Sequence, residues 1–81
     1  MLIGQATETA FIKYYRSDRD FIADAPMWAT ARRGISHLEV TFNENKQPVL
    51  KRWLNSDHEL IHEEMFVYDE TKVLKKRLFL N

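Results

Sequence analysis

The second half of the chain contains a short pattern that occurs three times. Each copy begins with a large apolar residue followed by Asn or Asp, continues through a polar turn, and then has two aliphatic residues followed by polar, mostly charged ones. The copies begin at Phe42, Leu54 and Tyr68, so they are 12 and 14 residues apart. Turn residues at this spacing, separated by apolar runs, are typical of consecutive antiparallel strands. The pattern predicts a β-meander over residues 35–81, with strands near 35–43, 49–55, 60–69 and 73–80.

The first predicted strand is also indicated by its own alternation. The segment ISHLEVTF changes between apolar and polar side chains at every position from 37 to 42, as a half-buried strand does. Its apolar positions are Leu38, Val40 and Phe42. We therefore expect these three side chains to form one buried face of the sheet, and the other face to be charged.

The first third of the chain predicts helix. The segment ETAFIKYYRSDRDFIADA has apolar side chains at intervals of three and four residues, among them Phe11, Tyr15 and Phe21. Pro26 ends this pattern, and PMWATARRG predicts a second, shorter helix that ends at Gly34. A strand over TAFIKYY is the alternative, because Ile and aromatic residues also favour strands.

These patterns together predict one α+β domain over residues 1–81. One or two helices in residues 1–34 are expected to pack on one face of a four-stranded antiparallel meander in residues 35–81. The length of 81 residues fits a single small domain. There is no Cys, so disulfides and thiolate metal sites are excluded. The N-terminus has no basic region followed by an apolar run, and no stretch approaches the length of a membrane span, so we expect a cytoplasmic protein.

The charged residues balance overall but are separated along the chain. Residues 57–70 include six acidic side chains and no Lys or Arg, whereas residues 72–77 include four basic side chains and no acid. In the predicted sheet the acidic strand lies between two basic strands. Glu63 and Glu64 should then meet basic side chains across the ladder. The candidate partners are Lys51, Arg52, Lys75, Lys76 and Arg77.

A single helix over residues 57–78 is the alternative reading of the same charges. Acidic residues near its start and basic residues near its end would both suit the helix dipole. The repeat favours the sheet, since a helix gives no reason for three segments to share one pattern.

The segment HELIH at residues 58–62 has the HExxH spacing of many zinc hydrolases. In a helix, His58 and His62 would project from one face and Glu59 would serve as general base. In a strand the two imidazoles would be about 13 Å apart, too far for one ion. Because the meander makes this segment a turn followed by a strand, we expect no metal site. A zinc-dependent hydrolase using His58 and His62 is the alternative function.

The three repeats resemble the MORN-like β-hairpin repeats of YwqK-type antitoxin proteins, and more loosely the YD repeats of Rhs proteins. The resemblance covers residues 42–81. Those families usually have Gly in the turn, where this chain has Lys46 or Gln47, His58 or Glu59, and Lys72. The resemblance implies a binding surface built from repeats, and it implies no catalytic residue.

The expected function is a small non-enzymatic protein-binding module of the antitoxin, immunity or inhibitor type, without a cofactor. A charge-striped sheet face and a sheet edge are suited to a protein partner. The last strand, 73–80, is guarded at its edge only by basic residues, which predicts homodimerisation through it. Balanced charge argues against nucleic acid, but weak binding through residues 51–53 and 75–77 is a further alternative. The predicted interaction residues are Lys51, Arg52, Trp53, Glu63, Glu64, Lys75, Lys76 and Arg77.

Overall fold

The computed structural model describes residues 11–80, which form one antiparallel sheet of five strands in chain order. A five-residue helix and a 3₁₀ turn connect the first two strands. The elements are β1 (Phe11–Tyr15), α1 (Asp18–Ile22), the 3₁₀ turn (Ala29–Arg32), β2 (His37–Phe42), β3 (Pro48–Leu54), β4 (Leu60–Tyr68) and β5 (Leu74–Leu80). In the described part of the chain, no helix has both the length and the apolar content needed to cross a bilayer.

The predicted α+β architecture, with N-terminal helices on a four-stranded sheet, is wrong. Residues 11–15 of the predicted first helix form β1, which pairs with β2 from Phe11 opposite Phe42 to Tyr15 opposite Leu38. Helix is limited to residues 18–22, and the predicted second helix is only the 3₁₀ turn. The part of the predicted helix before residue 11 lies outside the described residues. The fold is therefore mostly β.

The predicted contact partners are nevertheless present in the observed core. The Phe11 ring stacks on the Phe42 ring with centroids 5.1 Å apart, and Phe21 from α1 meets the edge of Tyr15 at 5.4 Å. Among the described residues, the buried hydrophobic side chains are Tyr15, Leu38, Val40 and Phe42, and Phe11, Phe21 and Trp53 pack against them. Because Phe11 and Tyr15 are four residues apart, they share a face in a strand as well as in a helix.

The predicted meander is confirmed. The four strands expected from the repeat are present within two residues of their predicted bounds, and each pairs with the next in antiparallel orientation. The single-helix alternative over residues 57–78 is wrong, since β4 and β5 occupy that range.

The three hairpins of the meander have the same turn. Each turn begins at Asn43, Asn55 or Asp69, whose side-chain Oδ1 accepts hydrogen bonds from the backbone N–H groups two and four residues later, at 2.9–3.0 Å. This Asx arrangement defines the loop through local hydrogen bonds alone. The repeated Asn or Asp read from the sequence is therefore the residue that shapes each turn.

The fourth residue of each turn adopts a left-handed backbone conformation. The φ angles are 64° at Lys46, 64° at His58 and 68° at Lys72. A type I turn followed by a left-handed residue is a common hairpin connection, and Gly usually occupies that position. In each hairpin, one residue near the start of the second strand has no partner across the ladder. These unpaired residues are Val49, Ile61 and Lys75. These bulges increase the local twist of the sheet.

The two faces of the sheet are unequal. The helix face, on which α1 lies, carries the hydrophobic core. The opposite face carries a row of side chains that crosses all five strands by register. That row consists of Ile12, Thr41, Leu50, Met65 and Leu78.

Candidate interaction surface

A chain of charged side chains crosses the helix face from α1 to β5. Lys51 Nζ lies 2.5 Å from Asp18 Oδ1 and 4.0 Å from Glu64 Oε1, and Arg77 Nε donates to Glu64 Oε2 at 2.5 Å. The Glu64 side chain is 1% exposed and that of Lys51 is 7% exposed. Because two cations flank one buried carboxylate and Asp18 balances Lys51, the charges compensate within the network.

Lys51 also joins α1 to the sheet through aromatic contacts. Its Nζ lies 4.5 Å from the ring centroid of Phe21 and 4.7 Å from that of Trp53. Cations at this distance from an aromatic face are attracted to it. Lys51 and Trp53, both predicted as interaction residues, are thus engaged in the internal packing of the domain, and Trp53 is half-buried.

On the opposite face a second row of charges pairs across β2, β3 and β4. Arg52 Nε donates to Glu63 Oε2 at 2.7 Å, and Arg52 Nη1 lies 3.6 Å from Glu39 Oε1. The expectation that Glu63 and Glu64 meet basic residues of the neighbouring strands is therefore confirmed. The expectation of one apolar and one charged face is wrong, because adjacent residues of a strand point to opposite sides and the paired charges occupy both faces.

β5 is the last strand of the described sheet, and each of its side chains from Leu74 to Phe79 is exposed. Among the described side chains, ten large hydrophobic ones are exposed, and seven of these lie in residues 60–79. These are Leu60, Ile61, Met65, Val73, Leu74, Leu78 and Phe79. The β4–β5 side of the molecule is therefore the part with the most uncovered apolar surface.

The other edge of the sheet is partly covered. The Met27 N–H donates to the Tyr14 carbonyl oxygen at 2.8 Å, which forms a bridge on the outer side of β1. The Arg32 guanidinium then lies over the Tyr14 ring at 4.5 Å. The segment between α1 and β2 thus passes around the β1 edge, whereas no described residue pairs with the outer side of β5.

Two of the hairpin turns meet at one end of the sheet. The Gln47 side chain donates to the Lys72 carbonyl oxygen at 2.8 Å, and the Tyr68 hydroxyl donates to the Pro48 carbonyl oxygen at 2.6 Å. Burial raises the pKa of the Tyr68 phenol. An open cavity of about 680 Å³ lies beside these turns and is lined partly by Leu50 and Met65. Asp69, Glu70 and Lys72 also line it, and among the described residues no three His, Asp or Glu side chains are placed to hold a metal ion.

Two hydrogen-bonded carboxylates lie outside these rows. The Tyr15 hydroxyl donates to Asp24 Oδ1 at 2.7 Å, and Lys13 Nζ lies 3.2 Å from the same oxygen. The hydrogen bond from Tyr15, followed by that from Lys13, lowers the pKa of Asp24. In the last turn, the hydroxyl of Thr71, and then the backbone N–H of Val73, lowers the pKa of Asp69.

The HELIH segment is a turn followed by the start of β4, as predicted. His58 occupies the left-handed turn position, with its Nε2 3.2 Å from the Arg32 carbonyl oxygen and its ring 5.1 Å from that of His37. The ring of His62 lies between those of Trp53, at 4.8 Å, and Phe79, at 5.5 Å. The helix that an HExxH zinc site requires is not formed here. In residues 11–80 no three His, Asp or Glu side chains gather as a metal site.

The residues proposed for nucleic-acid binding do not form one surface. Lys51 and Arg77 pair with Glu64 on the helix face, whereas Arg52 pairs with Glu39 and Glu63 on the opposite face. Lys75 and Lys76 lie at the exposed edge strand. The basic side chains are thus divided between internal pairs and the β5 edge.

Sequence reasoning missed two partners of the charged rows. The sequence predicts that Asp18 lies in a long helix and Glu39 on the polar side of a strand, and it predicts no basic partner for either. Both lie in segments outside the repeat, so the repeat carried no signal for them. The alternation of HLEVTF places Glu39 on the face opposite the core, so the sequence does contain a signal for its position.

Comparison with known proteins returns no match to this chain among protein-family models, curated proteins or solved structures. The resemblance to MORN-like repeats stays a prediction that rests on the repeated hairpin.

Proposed function

We propose that this chain is a non-enzymatic protein-binding module of the antitoxin, immunity or inhibitor type, which accepts a strand of its partner along the outer side of β5. The observation that carries the proposal is the edge itself: β5 is the last of five strands, and its side chains from 74 to 79 are exposed. An edge strand presents unpaired backbone N–H and C=O groups, which pair readily with another strand.

The side chains beside this edge supply the apolar contact that strand addition needs. Leu78 is 39% exposed on the opposite face, and its register neighbour Met65 is 38% exposed. On the helix face Phe79 is 62% exposed. A partner strand at β5 would cover apolar surface on both faces while its backbone extends the ladder. The β1 edge offers less, because Met27 already bridges to it.

The experiment is affinity capture from the native host, followed by mapping of the captured complex. We expect the amide hydrogens of residues 74–80 to exchange more slowly in the complex. Leu78→Ala combined with Phe79→Ala should weaken capture, since it removes apolar area on each side of the edge. The matched control is Ile12→Ala combined with Trp28→Ala, which removes exposed apolar side chains of β1 and of the segment that passes around its edge. Equal capture by both double variants, or protection confined to another surface, would contradict the proposal.

A further inference from the structure

We infer that the strand accepted at β5 is an acidic segment of a different protein, and not β5 of a second copy. This inference rests on the proposed strand addition at β5. It names the chemistry of the partner, which the exposed edge alone does not specify.

The sheet alternates in charge strand by strand. With histidines neutral, the five strands carry formal charges of +1, −1, +2, −2 and +3 from β1 to β5. The residues responsible are Lys13 in β1, Glu39 in β2, Lys51 and Arg52 in β3, Glu63 and Glu64 in β4, and Lys75, Lys76 and Arg77 in β5. Every internal strand therefore lies between neighbours of opposite sign.

The alternation corresponds to direct contacts at three successive strand boundaries. Arg52 of β3 lies 3.6 Å from Glu39 of β2 and 2.7 Å from Glu63 of β4. Arg77 of β5 lies 2.5 Å from Glu64 of β4. Opposite charges on adjacent strands stabilise the pairing, and like charges oppose it. The charges thus stabilise the strand order that the hairpins impose.

β5 interrupts this arrangement because it has an acidic neighbour on one side only. Arg77 is paired with Glu64, but Lys75 and Lys76 form no ion pair with any residue in the range 11–80. Across the ladder Lys76 is opposite the apolar Val67. The two lysines are therefore available to a strand on the outer side, and an acidic strand continues the observed order.

A second copy does not meet this requirement through the same edge. Antiparallel pairing of β5 with β5 brings two strands of charge +3 side by side. Like charges directly opposite one another destabilise strand pairing. The homodimer predicted from the sequence is thus the competing occupant of this edge, and the two occupants differ in the sign of the charge they bring.

The test uses two synthetic peptides with the full 81-residue chain. One has the sequence of β4, LIHEEMFVY, which already pairs with β5 inside the domain; the other has both glutamates replaced by lysine. We expect the acidic peptide to bind about tenfold more tightly in fluorescence anisotropy, since two opposite-charge pairs replace two like-charge pairs. Added salt should reduce the difference. Binding should also slow amide exchange at residues 74–80.

Charge reversal on the protein completes the experiment. Lys75→Glu combined with Lys76→Glu should reverse the preference of the two peptides. Arg16→Glu combined with Arg19→Glu changes the net charge equally at two exposed positions outside β5 and should leave the preference unchanged. Both variants are first checked for unchanged unfolding midpoints in urea.

The outcomes separate this inference from the proposed function. Equal protection of residues 74–80 by both peptides overturns the acidic preference but leaves strand addition standing. Protection by neither peptide overturns both. A dimer found by sedimentation at micromolar concentration, with β5 amides protected in the absence of peptide, overturns the inference in favour of a second copy.

Discussion

Arg77 Nε donates a 2.5 Å hydrogen bond to Oε2 of Glu64, a carboxylate that is 1% exposed in the middle of β4. The other carboxylate oxygen, Oε1, lies 4.0 Å from Lys51 Nζ. The hydrogen bond to Glu64 raises the pKa of the Arg77 guanidinium. The two cations offset part of the desolvation cost of this buried carboxylate, whereas removing its charge leaves buried Lys51 with fewer partners.

We therefore expect Glu64→Gln to lower the free energy of unfolding by about 2 kcal/mol, less than the roughly 3–5 kcal/mol of a buried pair broken outright, because Lys51 keeps its ion pair with Asp18. Glu63→Gln is the matched control one residue earlier. Its partner Arg52 is 43% exposed, so that change should cost about 0.5 kcal/mol. Urea denaturation of both variants measures the difference. Equal losses would show that burial does not increase the contribution of the Glu64 network to the free energy of unfolding.

Replacing a left-handed turn residue by Gly should raise the free energy of unfolding. Lys46→Gly and Lys72→Gly should each raise the free energy of unfolding by about 0.5 kcal/mol, because relief of the left-handed conformation exceeds the added chain entropy of Gly. Glu44→Gly, in the same turn as Lys46 but without a positive φ, should instead lower it by about 0.5 kcal/mol. Thermal and urea unfolding distinguish the two signs. Destabilisation by all three substitutions would be incompatible with the assigned turn conformation.

The Asp69 carboxylate in the last turn should make the free energy of unfolding depend on pH in the acid range. The pKa of Asp69 is lowered by hydrogen bonds from Thr71 and Val73. The stability that Asp69 supplies is therefore present above its unfolded pKa of about 3.9 and is lost as the pH falls through the lower, folded pKa. Asp69→Asn should keep the turn, as Asn43 and Asn55 do in the other hairpins, but should remove this part of the acid loss. Unfolding free energies measured from about pH 2 to 6 show the effect.

Asn55→Asp is the reciprocal variant for that prediction. It should leave the hairpin intact at neutral pH and introduce a new loss of stability at acid pH. If neither substitution changes the acid limb of the stability curve, the Asx hydrogen bonds do not favour the ionised carboxylate.

The meander was readable from the sequence because its signal is local. An Asn or Asp at the start of each turn and a run of β-formers after it determine a hairpin without distant contacts. β1 was not readable in the same way. In FIKYYRSDRDF the apolar residues fit an amphipathic helix, while Phe11 and Tyr15, four residues apart, fit a strand equally well. Pairing with β2 decides between them: Phe42 is 31 residues after its partner Phe11, and Leu38 is 23 residues after its partner Tyr15.

For the candidate surface, the sequence predicts only the sign of the charge that each strand carries. The basic–acidic–basic order of β3, β4 and β5 follows from composition, and it correctly predicted the pairs of Glu63 and Glu64. Which pair lies on which face depends on the bulges, where one skipped residue shifts the register. The sequence prediction groups Lys51, Arg52 and Trp53 on one binding surface, but adjacent residues of a strand point to opposite faces. Lys51 and Trp53 therefore lie on the face of α1, and Arg52 lies on the other.

The Tyr15–Asp24 hydrogen bond predicts a change at alkaline pH. The pKa of the Tyr15 phenol is raised, first by burial and then by the hydrogen bond to Asp24, so the neutral phenol stabilises the fold. That stability is fully present below the unfolded pKa of about 10 and is lost as the pH rises toward the higher folded pKa. Tyr15→Phe should lower the free energy of unfolding at neutral pH by about 1 kcal/mol and remove the alkaline loss. It should also raise the pKa of Asp24, which NMR titration can measure, because the hydrogen bond from Tyr15 is the main cause that lowers this pKa.

Tyr14→Phe is the matched control, because it retains the ring packed against His37 and should change none of these quantities. An equal response of both variants would rule out a specific role for the Tyr15–Asp24 hydrogen bond.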